Sequence, residues 1–319
     1  MSGSSQQRLR RTEQAEASYQ SVVGVLDAAA LSPKGQVQKL IEIPGGELVG
    51  KVGRKFPMGP LIDGDIIPQG TTFSAIRNQD ELTKLFPGLN HCKRVLFGDC
   101  QMDGMAFGMR VSKRTDILPK TMISILSKVF DPINPQIAKD IISAYGLDGK
   151  AESNTRENLE PILNYGNDVM FALPARELAR GWSSSNIPGT EAFLCHFNAP
   201  NPWDGPWKGY ATHIQDIAFA LLGYNNTLSH GQRLCAERYA KDIIAFVNGT
   251  EPWPAYERAV REGAMVYDAP VEGGEDKSCY VPVEDPERTG RRDALYKIVG
   301  EELFDKLVDV WQLFMAGPK

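Results

Sequence analysis

The sequence predicts an α/β protein that is mostly helical, with few parallel strands, and three observations carry that expectation. Compact apolar runs at 94–98 (RVLFG) and 191–197 (EAFLCHF) have strand length, and helical patterns follow each, giving the strand, helices, strand, helices order of a layered sheet. Elsewhere apolar residues recur at spacings of three and four, the mark of helices with one face on a core. The 319 residues are 42% hydrophobic and 9% aromatic, a globular composition. A chain of roughly 300 residues buries about three quarters of its unfolded surface, so no disulfide or metal staple is required.

Taken in order, residues 13–28 and 34–42 read as two helices. From Pro44 to Pro68, Gly and Pro are so frequent that the passage reads as irregular, and loops of that length usually carry function. NQDELTKLF (78–86) is a short helix, and RVLFG is read as a buried parallel strand ending at a Gly-Asp break. Helical segments follow at 120–130, 135–146, 156–164 and 167–180, the last interrupted at Pro174, which has no N–H to give. Alternation in 191–197 puts Phe193, Cys195 and Phe197 on one strand face. Ser229 can accept from the free amides of a first turn and so cap a long helix ending before Asn248-Gly249. Leu295, Ile298, Val299, Leu303, Leu307, Val310, Trp311 and Phe314 form the apolar stripe of a final helix. Residues 268–292, rich in charge, Gly and Pro, read as a surface loop. Two or three strands are fewer than a doubly wound sheet needs.

Charge and cysteine usage narrow the function classes. With 35 Lys and Arg against 40 Asp and Glu, the net charge of -5 argues against a nucleic-acid or anionic-membrane surface. The densest apolar stretch, Ile217 to Leu222, is far shorter than a membrane span. Arg8, Arg10 and Arg11 near the start are followed at once by Glu13 and Glu16, without the apolar core of a secretory signal. Five scattered cysteines (Cys92, Cys100, Cys195, Cys235, Cys279) do not read as a disulfide framework, and the expectation is a reduced, cytoplasmic protein. Sequons begin at Asn225 and Asn248 and would matter only in a secreted chain.

Histidine is the usual general base, and there are four: His91, His196, His213 and His230. His213 stands at a loop-to-helix junction beyond the second strand, where α/β proteins place catalytic groups; capping or surface exposure is the plainer role for it. Asp103, just after the first strand, could hold an imidazole in one tautomer, although an Asp beside a Gly is also an ordinary turn former; Asp99 competes with it. His91-Cys92 and Cys195-His196 cannot each give both side chains to one ion, since neighbours on a strand point oppositely, and neither CxxC nor HExxH occurs; no metal or other cofactor is expected. A Cys nucleophile working with His213 stays open, but Cys195 and Cys235 sit in apolar settings that suit buried structural thiols. GxSxG is absent: only Ser5 and Ser183 have Gly two places before, and Gln7 and Ser185 stand two places after them. An HGGG-type oxyanion loop is absent too.

Several passages in order resemble the C-terminal half of the type-B carboxylesterase/lipase family, the cholinesterase-like α/β hydrolases. MSGS (1–4) is similar to the strand end after that family's nucleophile helix, and GPLIDGDIIP (59–68) to its GPxxDGxxxP passage. RVLFGDCQMDGMAF resembles the strand and loop carrying the acid, DVMFALPARELA the FxxPAR helix, and GYATHIQDIAFALLG the loop bearing the catalytic His. FVNGTEPWPAY and WQLFMAGP look most like the fungal branch, whose members include enzymes of secondary metabolism. The resemblance implies that residues 1–319 are the C-terminal portion of a single α/β-hydrolase domain, with Asp103 as triad acid, where the family commonly has Glu, and His213 as general base. It also implies that the elbow serine and oxyanion glycines would precede Met1.

Two functions follow as expectations. The first is a carboxylic-ester hydrolase acting on a small-molecule ester, inactive as this chain alone because loss of a triad nucleophile costs roughly 10^6-fold in rate. A further chain supplying the N-terminal half would restore it. The second is a non-catalytic remnant that binds a small molecule or a protein partner, with an unpaired strand edge as a docking surface.

Overall fold

The computed structural model describes residues 9–53, 60–114, 117–148, 155–256 and 262–317. The opening MSGS and residues 54–59 of the Gly/Pro-rich passage lie outside these. The described residues divide into two compact units, one running up to Thr71 and the other from Thr72 onward.

The smaller unit holds α1 (Thr12–Val25), α2 (Pro33–Glu42) and α3 (Gly45–Val52). Ser32 starts α2 by accepting from the Gly35 N–H, with Pro33 in the first turn. The third helix is a correction to the irregular reading of 44–68. Its glycines disfavour helix, but Leu48 and Val52 turn one face onto Val22, Val23 and Leu26, and that burial overrides propensity. Gly53 then leaves the helix at φ 57. Beyond it Asp63 accepts from the Asp65 and Ile67 amides, closing a turn within GPLIDGDIIP and holding its carboxyl below the usual range.

In the larger unit the elements are α4 (Phe73–Arg77), α5 (Gln79–Leu85), β1 (Arg94–Cys100), α6 (Gly108–Val111), α7 (Leu118–Phe130), α8 (Pro135–Ala144), α9 (Arg156–Asn167) and α10 (Leu173–Ser183). Then come β2 (Glu191–Phe197), α11 (Gln215–Ala220), α12 (His230–Val247), β3 (Gly263–Tyr267), β4 (Cys279–Pro282), α13 (Pro286–Thr289), α14 (Ala294–Ile298) and α15 (Phe304–Ala316). The strands form one sheet in the order β1-β2-β3-β4, parallel across the first three and antiparallel at the last. Apolar residues cover both faces, as a parallel sheet requires. Ala192 and Leu194 face a large core built with α7, α9, α10 and α15, while Phe193, Cys195 and Phe197 face a second core under α11 and α12.

β3 escaped the sequence reading because all five of its residues are buried, so it shows no alternation. The segment 268–292, expected to be a surface loop, instead supplies the edge strand β4 and the turn of α13, and ends on buried Arg292. The final helix is also broken: Val299 and Gly300 are extended, a short 3-10 turn spans Glu301–Leu303, and α15 begins at Phe304. That break lets Leu295 and Phe304 enter the same core from separate helices. Between α9 and α10 the chain does not stop before Pro174; it widens into a π-helical turn, Asp168–Ala172, and Pro174 lies in the first turn of α10.

Candidate active site

The two outer elements of the site are the continuations of β1 and β2. Beyond Cys100 and Phe197 the chains are tied again, the Met102 N–H donating to the Ala211 carbonyl at 2.9 Å in a parallel bridge between Met102 and Thr212. The next residue on each side is therefore brought alongside its counterpart. These are Asp103 and His213, with Asp103 Oδ1 2.7 Å from His213 Nδ1.

Asp103 is fully buried and opens a 3-10 turn, Asp103–Phe107. Its other oxygen, Oδ2, accepts from the Cys100 N–H at 2.6 Å. Burial pushes its carboxyl up to about 6, with the Asp99 charge adding to the rise and the bonds from His213 and Cys100 opposing it. An ionised carboxylate can only accept, so a neutral imidazole bonded to it carries its proton on Nδ1 and its lone pair on Nε2. His213 keeps 29% of its side chain exposed, so the imidazole reaches the surface while its partner does not. The Phe171 ring, carried by the π-helical turn, packs against the imidazole with centroids 5.5 Å apart. The same turn region places Asn167 Oδ1 as acceptor for the Gly104 N–H at 2.8 Å, fixing the residue next to Asp103.

Asp99, the competing acid, is paired elsewhere. It sits opposite His196 in the β1–β2 register and bonds His196 Nδ1 at 2.5 Å, with Arg292 Nε on its other oxygen. Burial disfavours its charge, yet Arg292 and His196 hold it below the ordinary aspartate range, while burial pushes His196 down towards the neutral form. His91 is exposed on a turn and His230 begins α12, so neither joins the site. Cys195 and Cys235 lie in the second core, where burial pushes each thiol up to about 12, far from the range of a reactive thiolate. Among the described residues no group of three His, Cys, Asp or Glu side chains is arranged to hold a metal ion.

Residues 1–259 match the sequence profile of the Carboxylesterase family. The chain belongs to the carboxylesterase family. Solved structures of carboxylesterases share its fold. The Geobacillus stearothermophilus carboxylesterase EST55 aligns with a TM-score of 0.57 and 19% identity over 92% of this chain and 56% of its own. Juvenile hormone esterase from Manduca sexta gives 0.54 and 19% over 92% and 58%, and PNB esterase 0.54 and 15% over 90% and 55%. This carboxylesterase-family chain thus spans little more than half the length of the structures it matches. No curated protein sequence matches it.

The structure brings together Asp103 and His213, the two residues expected as acid and base from the sequence, and surrounds them with residues the sequence did not point to, Asn167, Phe171, Arg291 and Arg292. The two arginines fell inside the segment taken for a loop. A π-helical turn has no sequence period that would have announced Asn167 and Phe171.

Proposed function

We propose that the chain supplies the acid and base of a serine carboxylesterase, with Asp103 as the acid and His213 as the base. The observation that carries the reading is the 2.7 Å contact between a fully buried carboxylate and a partly exposed imidazole. Family membership supports it at the level of ester hydrolysis. The nucleophile is a serine outside these 319 residues, because no GxSxG occurs within them. In the reaction that serine attacks the carbonyl carbon of a small-molecule carboxylic ester while His213 Nε2 takes its proton. The tetrahedral intermediate collapses as His213 returns the proton to the leaving alcohol, and water then releases the acid by the same relay. Asp103 keeps the proton on Nδ1 and stabilises the imidazolium that forms.

The segment bearing the serine would extend the sheet at β1, which among the described residues has a hydrogen-bonded neighbour only on its β2 side. It would belong either to the same polypeptide or to a partner chain, and with it the 319 residues would be the C-terminal portion of one α/β-hydrolase domain. Turnover of a p-nitrophenyl ester by the native protein tests the reading. His213→Ala should lower kcat by roughly 10^4-fold or more with little change in KM. Unchanged kcat in that variant would remove His213 from the chemistry.

A further inference from the structure

The loop that carries Asp103 is held by two adjacent arginines, Arg291 and Arg292, from a 3-10 turn spanning Gly290–Asp293. Arg291 Nη2 donates to the Gln101 carbonyl at 2.8 Å, and its Nε lies 3.1 Å from Asp168 Oδ2. Arg292 Nε donates to Asp99 Oδ2, while its Nη1 donates to Asn198 Oδ1 at 2.9 Å and to the Thr289 carbonyl at 3.0 Å. Both guanidinium groups therefore grip the stretch from Asp99 to Gln101, immediately ahead of Asp103. Asp168, the ion-pair partner of Arg291, accepts hydrogen bonds from Tyr145 and from Asn167, the residue that holds the Gly104 amide. The Asp103 turn is thus fixed on both sides by one connected polar network.

We propose that Arg291 and Arg292 are positioning residues for the acid of the pair: they fix its loop, and Arg292 neutralises Asp99 behind it so that Asp103 can stay ionised against His213. The inference rests on the reading of Asp103 and His213 as acid and base. Its electrostatic part follows from placing charges in a poorly screened interior. The groups around Asp103 include His213, Cys100 and Asp99 of β1 with His196 of β2 bonded to Asp99, and Tyr239 of α12, on which Asp216 of α11 and Cys195 of β2 also act. Asp99 raises the Asp103 carboxyl, and Arg292 is the cation that lies directly on Asp99. Without Arg292 an unopposed charge would push Asp103 and His213 towards binding a proton.

Nitrogen-15 NMR of the full chain labelled at histidine reads this directly, because there are only four imidazoles to resolve. Arg292→Met should raise the midpoint at which the His213 ring nitrogens titrate by about half a unit or more. Asp99→Asn should lower it, Arg292→Lys should leave it in place, and Asp99→Asn with Arg292→Met should bring it back to the wild-type value. A folded Arg292→Met protein with an unmoved midpoint overturns the proposal, as does a double variant displaced as far as the single. If Arg292→Met does not fold, Asp99→Asn decides: a downward shift supports the clamp and no shift overturns it. A wild-type His213 whose Nδ1 lacks the signature of a carboxylate bond would overturn the underlying acid–base reading as well, and so separates the two failures.

Discussion

Asp103 takes one hydrogen bond from the Cys100 backbone and one from an imidazole, in a place where its charge is poorly solvated. Its carboxyl rises from an ordinary 3.8 to about 6, so the fold holds a proton there more tightly than the unfolded chain does. That sign means the group favours folding most below about pH 4, and its contribution is lost as pH rises through about 6. Two units correspond to about 3 kcal/mol. Asp103→Asn cannot titrate, so its stability relative to wild type should climb by about that amount between pH 4 and pH 7 in urea denaturation. A flat difference would mean the carboxyl is not displaced. The same substitution should cost function, because an amide offers one donor and one acceptor where two donors converge. His213 would meet the conflict by moving its proton to Nε2, and ester turnover should fall by roughly 10^4-fold.

At the scale of elements, the site depends on close backbone approaches. A Cβ added at Gly104 would lie 2.1 Å from the Leu163 carbonyl oxygen in α9, so Gly104→Ala must push the Asp103 turn away from that helix. It should lower stability by about 1–3 kcal/mol and weaken the His213 contact, seen as loss of the bonded Nδ1 proton signal. Wild-type stability in that variant would contradict the packing described. On the other side Ile214, directly after His213, is a β-branched residue at φ 64, and its side chain is exposed. Ile214→Gly should relieve that backbone strain and raise stability by about 0.5–1 kcal/mol, measured by thermal unfolding. The elements themselves were legible where burial was one-sided: α7, α8, α12 and β2 follow their predicted periods within a few residues. Periodicity failed where both faces are covered, as in β3, and where tertiary packing overrode Gly-rich composition, as in α3. Position after the strands made Asp103 and His213 candidates in the sequence and the family resemblance paired them, whereas Asn167 and the two arginines act through tertiary contacts that leave no local pattern.

Across the larger unit, one sheet with two apolar cores carries the site at the carboxyl ends of β1 and β2. A second polar cluster ties distant parts of the chain together. Glu177 of α10 receives Arg77, Arg180 and Tyr296, while Arg176 and Arg180 share Glu262. These charges are paired on each side, which is how ionised groups persist in an interior. No helix among the described residues is long and apolar enough to cross a membrane. What the 319 residues do not contain is a serine elbow, so the function proposed rests on a nucleophile brought to His213 from elsewhere. The most direct test is to label the native protein from its own cells with a serine-directed fluorophosphonate and map the modified peptide by mass. The predicted result is one modified serine, within a GxSxG sequence outside these residues, whose labelling is abolished by His213→Ala. Modification of a serine inside the 319 residues, labelling indifferent to His213, or no labelling at all would contradict the assignment of Asp103 and His213 to ester hydrolysis.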